Sequence, residues 1–226
     1  MITPIRLRIS TAFLIHSSRP ILVDTGSPGE ARRIIRAIER AGVRLQDLGM
    51  ILHTHGHADH CGSTQALKRL HDIPAAIHPG DARKLRSGEK ASLRPTRFFS
   101  RILLPFVNVS FPAVTPEILT GEGFSLREYG IPAEIVSTPG HTEGSISLVF
   151  DDGQAIAGDL LMGGYLGGLF RADEPDYHYY AEDLAEIRRS IVKLLQRGVT
   201  KFYVGHGGPL NADRVWNRFS KEIQAA

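Results

Sequence analysis

The segment His55-Gly56-His57-Ala58-Asp59-His60 places three imidazoles and one carboxylate within six residues. Nitrogen and carboxylate donors of this kind hold zinc at about 2.0–2.2 Å. Gly56 and Ala58 leave room for a tight bend that aims the donors at one point. Other donors each sit just past an apolar run: Asp24 after Val23, His141 in Pro139-Gly140-His141, Asp159 in Ala157-Gly158-Asp159, and His206 in Val204-Gly205-His206-Gly207. Singly, each reads as an ordinary loop residue. Together His55, His57, His60, His141 and His206, with Asp59 and Asp159, suffice for two metal ions sharing one carboxylate.

The elements that must position these side chains are legible as apolar runs. Ile5, Leu7 and Ile9 alternate with Arg6 and Arg8, and the runs from Ala12 to Ile15 and Ile21 to Val23 complete a strand meander. A helix follows with Ile34, Ile35 and Ile38 on one face, closed by Gly42. Met50-Ile51-Leu52 is a short buried strand that delivers the histidine cluster. A second helix is expected to start near Gly62 and run through Leu67 and Leu70, a strand at 75–77, and a short helix from Asp81. In the second half, strands are expected at 134–137, 145–150 and 154–157, the last two joined at Asp152-Gly153. A helix over 182–196 ends at Gly198, Lys201 to Val204 forms a last strand, and Asn211 or Asp213 caps a closing helix. Blocks of strands with helices in each half indicate a layered α/β architecture, and no linker-like stretch divides the chain. Residues 1–226 are expected to form one domain. Ligands in open α/β sheets gather where strands end, which is where all seven donors lie.

Bulk composition excludes several function classes. Lys+Arg 27 against Asp+Glu 24 leaves a formal +3, too small for a general nucleic-acid binder. The single cysteine, Cys61, excludes an intramolecular disulfide and removes any need for an oxidising compartment. No apolar stretch reaches the ~18 residues of a membrane span, and the N-terminal residues lack the apolar core of a signal peptide. A cytoplasmic location and no stable membrane insertion are expected.

The ordered set His55-x-His57-x-Asp59-His60, Pro139-Gly140-His141, Gly158-Asp159 and Gly205-His206-Gly207 resembles the metallo-β-lactamase superfamily, and the match runs from Asp24 to His206. The resemblance implies a four-layer αββα sandwich of two mixed β-sheets flanked by helices. It implies two Zn2+ ions, with iron possible: His55, His57 and His141 on the first metal, Asp59, His60 and His206 on the second, and Asp159 bridging both. Asp24 would hydrogen-bond a ligand from behind and fix its orientation. Two such cations lower the pKa of a shared water from 15.7 towards ~7. The hydroxide so formed would attack an electrophilic carbonyl or phosphorus, and Asp59, the catalytic candidate, would orient it and help shuttle a proton. Cys61 reads as a small packing residue at a helix start.

For substrate choice the sequence offers less. Between Arg83 and Arg101 basic residues dominate, with Glu89 the one acid, and an apolar run continues to Val107. This segment suits a lid or rim over the metals, facing an anionic or acyl substrate or a second subunit in a homodimer. The glycine-rich stretch after Asp159 reads as a flexible pocket wall, with Tyr165 as a weak substrate-binding candidate and His178 as a further ligand candidate. His16, His53, His71 and His78 read as structural.

The expected activity is a dinuclear zinc hydrolase acting on a small-molecule ester, thioester or lactone. The larger hydroxyacylglutathione hydrolases, which extend into a helical substrate-binding domain, fit less well, because twenty residues follow His206. The superfamily's nucleases usually carry an added domain or exosite, and none is visible. An iron-dependent persulfide dioxygenase, using His55-, His141- and Asp159-type ligands on one iron, is the rival from another class. A non-catalytic module that kept its metal is the third alternative.

Overall fold

The computed structural model describes residues 1–224. In chain order the elements are β1 (Ile2–Arg6), β2 (Thr11–Ile15), β3 (Ile21–Val23), α1 (Ala31–Arg40), β4 (Met50–Leu52), α2 (Ala58–Cys61), α3 (Thr64–Lys68), β5 (Ala75–Ile77), α4 (Pro79–Ser87) and α5 (Phe98–Val107). They continue with β6 (Ile118–Leu119), β7 (Ala133–Ser137), β8 (Ile146–Phe150), β9 (Gln154–Ile156), β10 (Met162–Tyr165), β11 (Phe170–Asp176), α6 (Leu184–Gln196), β12 (Lys201–Tyr203), β13 (Leu210–Asn211) and α7 (Ala212–Gln224).

Two mixed sheets follow from the pairing. The first runs β1-β2-β3-β4-β5-β6, antiparallel up to β3 and parallel beyond it. The second runs β13-β12-β9-β8-β7, with only β12 and β9 parallel. Period-two alternation decides which side chains meet between them. Phe13 and Ile15 of β2 turn inward onto Ile135, Leu148 and Ile156 of the second sheet, while Ala12 and Leu14 turn outward onto Ile34 and Ile38 of α1. On the far side, Ala155 and Phe202 pack against Ile187, Ile191 and Leu194 of α6 and Val215 and Phe219 of α7. Helix, sheet, sheet and helix therefore stack as the expected αββα sandwich. Among the described residues no helix is long and apolar enough to cross a membrane.

Several local expectations shift. β1 stops at Arg6 because Leu7 N–H donates to Ser10 C=O at 2.9 Å, closing a turn before Ile9. The helix expected from Gly62 through Leu70 is the shorter α3, Thr64–Lys68, and a separate turn of helix, α2, precedes it, with Gly62 N–H donating to Gly26 C=O at 2.8 Å between them. α6 begins two residues late because Asp183 caps it, its carboxylate accepting from Ala185 and Glu186 N–H. At the closing helix Asn211 Oδ1 accepts from Asp213 N–H at 2.8 Å. The glycine-rich stretch, expected as a flexible pocket wall, does line the cavity and forms the hairpin β10–β11. Glycine is needed there for close approach: a Cβ on Gly168 would fall 2.2 Å from Gly207 Cα, so the hairpin lies directly on the loop that carries His206.

Candidate metal centre

Each donor leaves the end of a strand. β4 runs out into His53-Thr54-His55, and the turn that follows makes His57 the N-terminal flank of α2, which carries Asp59 and His60. β7 leads to His141, β9 to Asp159 and β12 to His206. The structure brings all seven together. The donor atoms of His55, His57 and His141 lie within 4.8 Å of one another, and so do those of Asp59, His60, Asp159 and His206. Asp159 Oδ2 is the common point, 3.8 Å from His55 Nε2, 3.4 Å from His60 Nε2, 3.6 Å from His141 Nε2 and 3.3 Å from His206 Nε2.

The outer hydrogen bonds fix which ring nitrogens face inward as lone pairs. A carbonyl or carboxylate oxygen can only accept, so an imidazole nitrogen bonded to one carries the proton. His141 Nδ1 donates to Tyr180 C=O at 2.9 Å, His206 Nδ1 to Ile9 C=O at 2.6 Å, and His60 Nδ1 to Asp24 Oδ2 at 2.8 Å. Thr54 Oγ1 gives its one proton to Asp24 Oδ2 at 2.8 Å and so accepts from His55 Nδ1 at 3.0 Å. In the neutral imidazoles Nε2 is therefore the atom left without a proton at all four histidines. His141 Nε2 lies 3.2 Å from His55 Nε2, two facing lone pairs that a shared cation would relieve, and 2.9 Å from His57 Nδ1, which donates to it in the Nδ1–H tautomer. His60 Nε2, His206 Nε2 and Asp159 Oδ1 are buried without hydrogen-bond partners. Outer-sphere bonds that orient imidazoles in this way accompany metal sites, and the nitrogen and carboxylate set suits zinc or iron.

Electrostatics divides the cluster. Burial pushes His57 down to about 4 and His141 to about 3, so both are neutral donors at physiological pH. At His206 burial also opposes the charge, but the Asp159 and Asp59 carboxylates outweigh it and hold the imidazole up to about 10. The negative potential that would draw a proton there equally favours a divalent cation. Cys61 is turned away, buried among Ala75, Ile77 and Leu85 with its Sγ donating to His55 C=O at 3.3 Å. Burial pushes its thiol well up.

Other sequence expectations meet mixed placements. Tyr165 is half-exposed on β10 and stands outside the cavity beside the cluster, whereas Tyr179 and Tyr180 line it. The Arg83–Val107 segment does reach that cavity, through Leu93, Leu103 and Val107. His178, singled out only weakly by sequence, is buried with Nε2 3.4 Å from Asp159 Oδ2, and it forms a third donor set with His141 and Asp159. His53, read as structural, lies with Nδ1 3.7 Å from Asp24 Oδ1. Asp81 escaped notice. Its Oδ2 accepts from Gly56 N–H at 2.8 Å and Thr142 Oγ1 at 2.6 Å, so one carboxylate ties the histidine-cluster turn to the loop of His141. An acid in the first turn of a helix carries no sequence signal for that task.

Comparison with known proteins agrees with this geometry. The sequence model of the metallo-beta-lactamase superfamily matches residues 5–206. A probable metallo-hydrolase of Methanocaldococcus jannaschii is 28% identical over 202 residues, 88% of this chain and 87% of that protein. A hydroxyacylglutathione hydrolase of Alkalilimnicola ehrlichii is 27% identical over 179 residues, 79% of this chain but 54% of its own length. A metallo-beta-lactamase family protein of Thermus thermophilus has the same fold, with a TM-score of 0.68 at 23% identity, covering 100% of this chain and 79% of that one. With its strand-end donors gathered on one buried carboxylate and this match spanning most of its length, the chain belongs to the metallo-beta-lactamase superfamily.

Proposed function

We propose that this chain is a single-domain, dinuclear zinc hydrolase that cleaves a small ester, thioester or lactone. The observation that carries the reading is the double donor set around Asp159 Oδ2, one side built from His55, His57 and His141 and the other from Asp59, His60 and His206. Two divalent cations held there would supply a hydroxide nucleophile near neutral pH and a Lewis acid for a carbonyl oxygen. Asp59 faces the adjoining cavity, with Oδ2 3.3 Å from His206 Nε2, and its role is to orient the attacking water and accept its proton. Asp24 and the Ile9 and Tyr180 carbonyls keep the imidazoles in the tautomer that presents Nε2 inward. Likeness to a hydroxyacylglutathione hydrolase supports acyl transfer to water as the reaction class. A single-iron dioxygenase would use His55, His141 and Asp159 and leave the donors of Asp59, His60 and His206 without a task, so the hydrolase is preferred.

The test is metal analysis of the purified protein combined with a panel of thioesters, lactones, phosphodiesters and glutathione persulfide. Two zinc ions per chain with ester, thioester or lactone turnover, both lost in Asp159→Ala, is the expected result. One iron per chain with persulfide oxidation overturns the reading.

A further inference from the structure

Beside the donor cluster opens a cavity of about 540 Å3, within the size range of small-molecule sites. One end is polar, formed by His57, Asp59, Asp159, His178 and His206. The remainder is largely apolar: Leu103 and Val107 of α5, Val109 just beyond it, Leu166 and Leu169 at the tip of the β10–β11 hairpin, and Ile9 from the turn after β1. Arg6, Arg8, Ser10, Thr11 and Asn108 also line it, yet most of the wall is apolar, which fits a ligand with a polar head and an apolar body.

The manner in which α5 is held points the same way. This helix reads FFSRILLPFV, yet only Ser100 is buried, and Phe98, Phe99, Ile102 and Phe106 are exposed. Polar ties rather than core packing fasten it across the cavity. Tyr180 Oη donates to Ser100 C=O at 2.7 Å, and Arg97 pairs with Asp176 at the end of β11. The hairpin tip is fastened in the same fashion, Tyr179 Oη accepting from Leu166 N–H at 3.1 Å. Two elements thus turn apolar side chains onto a space that the protein's own core does not fill. A contiguous apolar lining of this kind marks a binding site.

Resting on the hydrolase reading above, we propose that the cavity holds the unbranched acyl chain of the substrate. The scissile carbonyl lies at the Asp59–Asp159 end, and a tail of several carbons runs beneath α5 and the hairpin tip. In the reaction the bond between the acyl carbon and the leaving oxygen or sulfur breaks. Water's oxygen ends on the acyl carbon, and one of its protons ends on the leaving group. Each methylene buried in the cavity should strengthen binding by about fourfold, so preference for long chains over short ones is the signature.

The test uses the metal-loaded protein with a homologous series of acyl thioesters from acetyl to decanoyl, and calorimetric binding of acetate, hexanoate and decanoate as product analogues. KM should fall by about fourfold per methylene over the first several carbons, and decanoate should bind more tightly than acetate. Leu103→Trp, which fills the space under α5, should flatten that chain-length ratio in both measurements, and Leu169→Asp serves as a second variant should the first fail to fold. Turnover with no chain-length dependence, together with equal binding of acetate and decanoate, overturns the proposal and leaves the hydrolase intact. Chain-length-dependent binding without turnover of any acyl compound upholds the cavity's ligand and overturns the hydrolase.

Discussion

Asp24 Oδ2 accepts a hydrogen bond from His60 Nδ1 at 2.8 Å, and the same oxygen accepts from Thr54 Oγ1 at 2.8 Å. Because Thr54 Oγ1 in turn accepts from His55 Nδ1 at 3.0 Å, one buried carboxylate sets the tautomer of an imidazole on each side of Asp159. It does so from a backbone conformation with φ of 61° at the end of β3, a left-handed geometry that aspartate and asparagine tolerate better than other residues bearing a Cβ.

Asp24→Asn keeps that backbone but presents one acceptor oxygen where two now serve, Oδ2 for His60 Nδ1 and Thr54 Oγ1 and Oδ1 for Thr54 N–H. Loss of an outer-sphere partner typically costs 10–100-fold in metal affinity. We expect a drop of about that size, read by competition with a chromophoric chelator, while the far-ultraviolet circular dichroism stays unchanged. Equal affinity in the variant would show that Asp24 serves the fold alone.

Gly205 is next. A Cβ there would lie 2.2 Å from Asp159 Oδ1 and 2.6 Å from His60 Cε1, so the carboxylate that lies between the two donor groups sits against bare backbone. Gly205→Ala must push Asp159 or the His206 loop aside. Displacement of about 1 Å in a reacting site costs on the order of 100-fold in rate. Turnover in the panel above should fall by about that factor and bound metal should decrease. A fully active Gly205→Ala protein would mean the loop yields without disturbing Asp159.

Asp81 supplies a pH dependence that does not involve the donor atoms themselves. Burial alone would raise its carboxyl, but Lys84 and the bonds from Thr142 Oγ1 and Gly56 N–H outweigh it and hold it below its ordinary 3.8. A carboxyl depressed in the folded state stabilises fully above its unfolded value, and that contribution disappears as pH falls through the folded one. In metal-free protein, Asp81→Asn should therefore cost about 1–3 kcal/mol near neutral pH, and the deficit should shrink below about pH 4. Urea titrations of both proteins from pH 3 to pH 7 give the comparison. A deficit that is constant with pH would assign the loss to geometry rather than charge.

What the sequence made legible follows from what leaves a periodic mark. Apolar runs such as Met50-Ile51-Leu52 and Ala155-Ile156-Ala157 mark strands buried on both faces, and the donors stand at their ends, so both the layers and the seven-residue cluster could be anticipated. The β10–β11 hairpin left no such mark. Gly167-Gly168 marks a turn at its tip, but the outer strand is mostly exposed and no apolar alternation flanks that pair, so the strands themselves go unannounced. His178 arrives through that hairpin. It reaches Asp159 because β11 runs back to the site, and its Nδ1 lies 3.1 Å from the C=O and 3.3 Å from the N–H of Tyr180, the residue whose C=O also holds His141 Nδ1. No spacing rule links residue 178 to the motif. Asp81 was equally silent, because its partners are a backbone N–H and a hydroxyl brought close only by the folded loops.

The facing lone pairs of His55 and His141 make a last prediction about stability. His55 Nε2 lies 3.2 Å from His141 Nε2, and in the absence of a cation that contact is repulsive or must be relieved by partial protonation. The folded chain therefore pays for the site until metal binds, and the unfolded chain, whose histidines are apart, does not. A ligand specific for the folded state stabilises it by about 2.7 kcal/mol at one hundred times its Kd. In a protein of this size each kcal/mol moves Tm by about 2–4 °C. Zinc added to chelator-stripped protein should thus raise Tm by roughly 5–11 °C, with a much smaller rise in His57→Ala. A Tm that zinc leaves unmoved, or moves equally in the parent and in His57→Ala, would mean that these donors hold no cation.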